Sequence, residues 1–184
     1  MSVAHLQHLL RSPNADDNKY TRGVVGFVTG SEDYPGAALL GANAAARTGI
    51  GMLRYLGPDS VNRLIIESRP ETVLGFGRVD AWVLGSGIAF DNLDQQENLK
   101  RALADDQRKV IDAGALTLTN YVDLESLTAI LTPHAAELAR LLDHFGRHFE
   151  LDFEAVKAAA AMTRQVVVLK GNTTLIAHPR DRKS

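Results

Sequence analysis

A chain of 184 residues with 45% hydrophobic content can bury roughly 70% of its unfolded surface, enough for one ordinary core, so a single domain over residues 1–184 is expected. A formal net charge of −2 and a pI near 6.3 give no long-range attraction to nucleic acid or acidic lipid, and the only basic run is the terminal Arg180, Arg182 and Lys183. With no cysteine there is neither a disulfide framework nor a thiolate metal site, which fits a reducing cytoplasm.

The opening MSVAHLQHLLRSP lacks the basic start and continuous apolar core of a signal peptide, and no stretch reaches transmembrane length. Val3, Leu6, Leu9 and Leu10 predict a short amphipathic helix that Ser12-Pro13-Asn14 ends. Val24 to Val28 then reads as a strand buried on both faces, broken by Gly30 to Tyr34. Pro35 is placed to open a helix. Ala37, Leu40, Gly41, Ala44, Ala45 and Thr48 form its small-residue packing stripe, Gly49 ends it, and Met52 to Leu56 supplies the next strand. The unit is a crossover between parallel strands, and the loop after its first strand faces a helix N-terminus.

Asp59 or Ser60 caps a helix carrying Val61, Leu64 and Ile65, which Arg69-Pro70 stops. Ala81 to Leu84 is a third strand, Asp94 to Ala104 a surface helix with Leu99 and Leu103 inward, and Lys109 to Asp112 a fourth strand. Ala129 to Leu131 is a fifth. Thr132 is read as an N-cap and Pro133 as the first residue of a helix that buries Leu138, Leu141, Leu142 and Phe145. A last helix, Asp152 to Thr163, precedes the apolar strand Val166 to Leu169, and Gly171-Asn172 is a two-residue hairpin signal before Thr174 to Ala177. This alternation predicts a three-layer α/β domain with a mostly parallel sheet and a terminal antiparallel hairpin.

The motifs are individually ambiguous. Gly26 to Gly30 is followed by no Gly-Lys-Ser/Thr, and Gly85-Ser86-Gly87 has no third glycine, so neither is a nucleotide fingerprint. Gly85 and Gly87 serve equally as a tight turn or as a close approach for a ligand at a strand's carboxyl end. His134, near a helix start, is offered as a neutral imidazole able to bind a ligand. Glu137 is taken to lie too deep in the helix to close a capping box and to pair with Arg140. Asp112 is either a magnesium-linked carboxylate or a turn-former, and His144 with His148 is a weak metal pair.

Taken together, Lys19 to Pro58, Leu84 to Gly87, Val110 to Leu116, Leu131 to Leu138 and Val167 to Thr174 resemble, in order, the ADP-dependent NAD(P)H-hydrate dehydratases of the ribokinase-like superfamily. The resemblance implies a ribokinase-like fold and a substrate, hydrated NADH or NADPH, held by Gly36, Ala37, Gly85, Gly87 and His134. It also implies ADP or ATP with Mg2+, the nucleotide meeting Lys170, Gly171, Asn172, Thr173 and Thr174; no metal-ligating residue is assigned. Ala136 stands where the family usually has glycine. The family's Gly-Thr-Gly-Asp-type segment, with its anion hole and catalytic aspartate, would fall beyond Ser184, so the domain is expected to be incomplete and its catalytic residue to lie outside this sequence. A small-molecule kinase of the same superfamily, or a non-catalytic remnant or binding module, are the alternatives left open. Apolar strand surface around Val166 to Leu169 is expected to be uncovered and to favour a homo-oligomer.

Overall fold

The computed structural model describes residues 12–119, 128–148, 150 and 152–181, so the predicted N-terminal helix lies outside the described residues. In chain order the elements are β1 (Val24–Val28), α1 (Pro35–Ala46), β2 (Met52–Tyr55), α2 (Asp59–Ser68), β3 (Val73–Leu74), β4 (Ala81–Leu84), α3 (Leu93–Leu103), β5 (Arg108–Ile111), α4 (Ala115–Leu118), β6 (Ala129–Leu131), α5 (Ala135–His144), α6 (Phe153–Thr163), β7 (Val166–Leu169) and β8 (Leu175–Ala177). The strands form one eight-stranded sheet in the order β3-β2-β1-β4-β5-β6-β7-β8. Every pair is parallel except β7 with β8, as the alternating sequence pattern predicts.

Successive side chains of a strand face opposite ways, and both sides of β1 are apolar. Val24 and Val28 join Trp82, Leu84, Ile111 and Leu131 in the larger core, which α3, α4, α5 and α6 cover. Val25 and Phe27 turn the other way, into a smaller core with Leu53 and Tyr55 under α1 and α2. The result is three layers, helix on sheet on helix.

Among the described residues the second face is covered only in part. Val110, Ile130, Val166, Val168 and Ile176 alternate with the residues of the larger core and share the face of Val25 and Phe27. Val110 pairs with Ile130, Ile130 with Val166, and Val168 with Ile176, so they form a continuous apolar field. Ile130 is 40% and Ile176 59% exposed there. The uncovered surface thus extends beyond the predicted Val166 to Leu169, whose Val167 and Leu169 point into the core.

Several local expectations are corrected. In α1 the fully buried positions are Ala38 and Ala42, one residue on from the predicted stripe, and Leu40 faces solvent. Helix α2 begins at Asp59 behind Pro58, with no side-chain cap. Two short elements went unpredicted, the edge strand β3 and the four-residue α4. The final connection is five residues, Lys170 to Thr174, because Leu169 pairs directly with Leu175; it is not a two-residue hairpin. Pro35 does open α1, and Asp152 caps α6 through Ala155 N at 3.0 Å.

Candidate functional site

In this sheet β1 and β4 are neighbours, yet the chain leaves β1 towards β2 and leaves β4 towards β5. Such a reversal opens a crevice outside the carboxyl ends of the strands, where open α/β sheets bind ligands. Two turns frame it here, Thr29 to Tyr34 after β1 and Gly85 to Gly87 after β4. Backbone bonds stitch them together: Gly85 N donates to Val28 O at 2.8 Å and Gly30 N to Ser86 O at 2.7 Å.

At this point glycine is a steric requirement. Gly87 has φ +71°, and a methyl group there would overlap Ala37 Cβ and lie 3.3 Å from Gly30 Cα. Gly85, at φ +96°, sits against Asp112 O and Ala115 in the same way. Ala37 and Gly87 are therefore in contact, and the start of α1 closes directly onto the turn after β4. Gly36 is exposed, with nothing within 4 Å of a would-be Cβ, so of the predicted substrate residues it has the most open space beside it.

Further along the same edge, Asp112 follows β5. Its Oδ1 accepts from Thr132 Oγ1 at 3.0 Å and from the ammonium of Lys170, which follows β7. The Asp112 and Lys170 side chains are 20% and 43% exposed, so the pair lies half in solvent. Lys170 N also donates to Pro133 O at 2.9 Å, tying the ends of β6 and β7 together and bringing His134 beside Lys170. Gly171 to Thr174 follow as an exposed loop.

That bond to Pro133 explains a correction. Thr132 and Pro133 belong to the strand ends, and His134 is the N-cap of α5 in place of Thr132. Its Nδ1 accepts from Ala136 N at 3.2 Å and Glu137 N at 3.4 Å. Glu137 Oε2 in turn accepts from His134 N at 2.8 Å, and its Oε1 lies 3.3 Å from His134 Nε2. Glu137, at N3, closes the capping box it was expected to miss. An accepting Nδ1 requires a lone pair, so this cap holds the Nε2–H tautomer. Both ring nitrogens are engaged within α5, and a ligand would meet the imidazole mainly through its exposed face.

Sequence reasoning passed over two buried groups under the β1 turn. Tyr55 Oη donates to Thr29 O at 2.6 Å, and burial pushes this phenol well above its ordinary value. Gln95 Nε2 donates to Gly30 O at 3.1 Å. Of the weak metal candidates, His148 Nδ1 lies 2.9 Å from Asp143 Oδ1, and among the described residues no three His, Asp or Glu side chains converge. The groups present suit a phosphate, with an ammonium beside an exposed loop. Asp112 is the carboxylate in contact with Lys170, so a cation brought by such a phosphate would find one protein oxygen beside the ammonium.

A family profile described as NAD(P)H-hydrate dehydratase matches residues 25–183. The bifunctional NAD(P)H-hydrate repair enzyme of Mycobacterium tuberculosis is 37% identical over 182 residues, which cover 91% of this chain and 36% of that relative. The ADP-dependent (S)-NAD(P)H-hydrate dehydratase of Bacillus subtilis is 33% identical over 190 residues, covering 95% of this chain and 67% of that one. A solved structure of the Bacillus subtilis ADP/ATP-dependent NAD(P)H-hydrate dehydratase, co-crystallised with ATP/Mg2+, superposes with a TM-score of 0.79 at 30% identity, over 97% of this chain and 68% of that one. A ribokinase-like superfamily protein from Enterococcus faecalis shares the fold, with a TM-score of 0.81 at 22% identity. The chain thus spans about a third of the length of the bifunctional relatives it matches.

Proposed function

Because this chain belongs to the NAD(P)H-hydrate dehydratase family, we propose that it serves the ADP- or ATP-dependent dehydration of hydrated NADH or NADPH, with Mg2+ carried on the nucleotide. In that reaction the terminal phosphoryl group passes to the hydroxyl of the hydrated ring, and its loss as phosphate, together with a ring proton, restores the reduced nicotinamide. The observation that supports the reading is the continuous edge from Ala37 and Gly87 to Asp112 and Lys170, small groups at one end and an ammonium at the other. The hydrated ring would lie against Gly36, Ala37 and Gly87, with Gly85 shaping the turn and His134 bordering the nucleotide side. Lys170 and the amides of Gly171 to Thr174 would meet the phosphates.

The reading includes a homo-oligomer, for which the support is the open apolar field of Val110, Ile130, Val168 and Ile176, and a cytoplasmic location, which the cysteine-free sequence fits. No helix among the described residues is long and apolar enough to cross a membrane.

Calorimetric titration with ADP and Mg2+ tests the assignment. Lys170→Ala should weaken ADP by about tenfold or more, the worth of a charge-assisted hydrogen bond, and leave the affinity for NADH hydrate nearly unchanged. Equal ADP affinity in the wild type and Lys170→Ala would remove this edge as the phosphate site. Return of absorbance at the reduced-nicotinamide band, with ADP and hydrate both present, is the readout of the chemistry itself.

A further inference from the structure

Gln95 lies in the first turn of α3 and is 1% exposed, although its neighbours on the buried face of that helix, Leu99 and Ala102, are apolar. An apolar side chain at position 95 would continue that face without any polar group to satisfy, and a buried amide is tolerated only when its hydrogen bonds are made. Its bonds are made, and they lead to the crevice. Asn92 Oδ1 accepts from Gln95 N at 3.1 Å, fixing the helix start. Asn98 Nδ2 donates to Gln95 Oε1 at 3.0 Å, and Gln95 Nε2 donates to Gly30 O at 3.1 Å. The carbonyl of Gly30 can only accept, so the nitrogen of the Gln95 amide must face it.

The same residue carries the joint between the two turns from its other side, since the Gly30 N–H donates to Ser86 O at 2.7 Å and its Cα borders Gly87 and, through it, Ala37. Gly30 is held at φ +71°, and Tyr55 grips the preceding carbonyl from β2. The turn after β1 is therefore fixed from both sides of the sheet, with Gln95 the contact from α3. We propose that Gln95 is a positioning residue for the substrate end of the site: through Gly30 it sets the height of the floor that Gly30, Ala37 and Gly87 form beneath the ligand. What that floor touches rests on the function proposed above; that Gln95 fixes it does not.

Two measurements keep these claims separate. The first is hydrogen–deuterium exchange over residues 29–34 in the wild type and Gln95→Met, which preserves length and volume but deletes the amide. Loss of the bond should speed exchange in this segment by about tenfold, with β5 to β7 unchanged. The second is calorimetry with NADH hydrate and, separately, ADP with Mg2+. Gln95→Met should weaken the hydrate by about tenfold while ADP affinity stays within about twofold, because Lys170 and its loop lie at the far end of the edge. A merely structural role predicts faster exchange throughout the sheet and equal loss of both ligands, and that result overturns the proposal. Unchanged exchange over 29–34 overturns it as well. If the wild type binds no hydrate, the proposed function falls, and the exchange result alone decides whether Gln95 positions the turn. Should Gln95→Met fail to fold, Asn98→Ala removes only the bond that orients the amide; a rise of a few fold in exchange confined to 29–34 supports the proposal, and no rise refutes it.

Discussion

Tyr55→Phe isolates one hydrogen bond at the base of the crevice. The substitution deletes the phenolic oxygen that donates to Thr29 O at 2.6 Å and keeps the ring, which is fully buried in the core beneath α1 and α2. Thr29 is itself 1% exposed, so its carbonyl loses a partner with no bulk water to replace it. A methyl group added at Gly57 would overlap the same oxygen, so the hydroxyl sits in a confined position. The expected cost is therefore that of an unsatisfied buried acceptor, about 1–3 kcal/mol, rather than the smaller net value of an exchangeable bond. A second signature follows from titration. Burial raises the folded-state pKa of Tyr55 above its ordinary 10.0, so between those values the folded protein holds a proton that the unfolded chain has released. The stability this represents is complete below pH 10 and is lost as pH rises. The gap between wild type and Tyr55→Phe should thus be constant from pH 7 to 9 and then narrow, approaching about 1.4 kcal/mol per pH unit. Urea unfolding of both proteins across this range reads it directly. Equal midpoints at pH 7, or a gap that does not narrow above pH 10, would refute the reasoning.

Gly87→Ala should destabilise by about 1–3 kcal/mol, because the methyl group overlaps Ala37 at a positive φ, whereas Gly36→Ala should be neutral or slightly stabilising in thermal melts. If Gly36 also faces the hydrated ring, Gly36→Val should weaken NADH hydrate without shifting the melting midpoint by more than a few degrees. His134→Ala should cost about 1 kcal/mol through loss of the α5 cap, and His134→Asn should recover most of it. A hydrate affinity reduced in both variants would mark the imidazole as a ligand contact; an affinity that follows only the cap would mark it as structural. Light scattering at rising concentration should show self-association, and Ile130→Lys with Ile176→Lys should abolish it; a monomer at all concentrations would mean that the open sheet face is not an interface.

The parallel core was legible because its strands are short apolar runs bounded by turn residues, and Val24 to Val28, Ala81 to Leu84 and Val166 to Leu169 all appear where the pattern puts them. What escaped had no contrast to read. Helix α1 is small on nearly every face, so nothing in Ala37, Ala38, Gly41, Ala42, Ala44 and Ala45 distinguishes the buried pair from its neighbours. Strand β3 has two residues, both exposed. The start of α5 shifted because a tertiary bond, Lys170 N to Pro133 O, holds Pro133 with the strand ends, and no local rule anticipates a partner so far along the chain. Gln95 reads as surface by type, yet it stands four and seven residues before Leu99 and Ala102, the spacing of one helix face, and that was the available signal. The candidate site was legible as a set of turns, while the contacts between those turns were not.

The Asp112–Lys170 pair is best understood by what it does not do. With the two side chains 20% and 43% exposed, it is worth about 0–1 kcal/mol to the fold. The strand ends it spans are already joined by backbone bonds, Lys170 N to Pro133 O and Thr132 N to Ile111 O at 3.0 Å. Asp112 also keeps the hydroxyl of Thr132 whether or not the ammonium stays, so its carboxylate is not stranded if Lys170 turns away. A weak bond with a second donor in reserve is one that a competing anion can take over at little cost. A nucleotide's phosphates carry more charge than one carboxylate and offer more acceptor oxygens, so within the proposed reading the ammonium transfers to the phosphates and Asp112 is left facing the cation they bring.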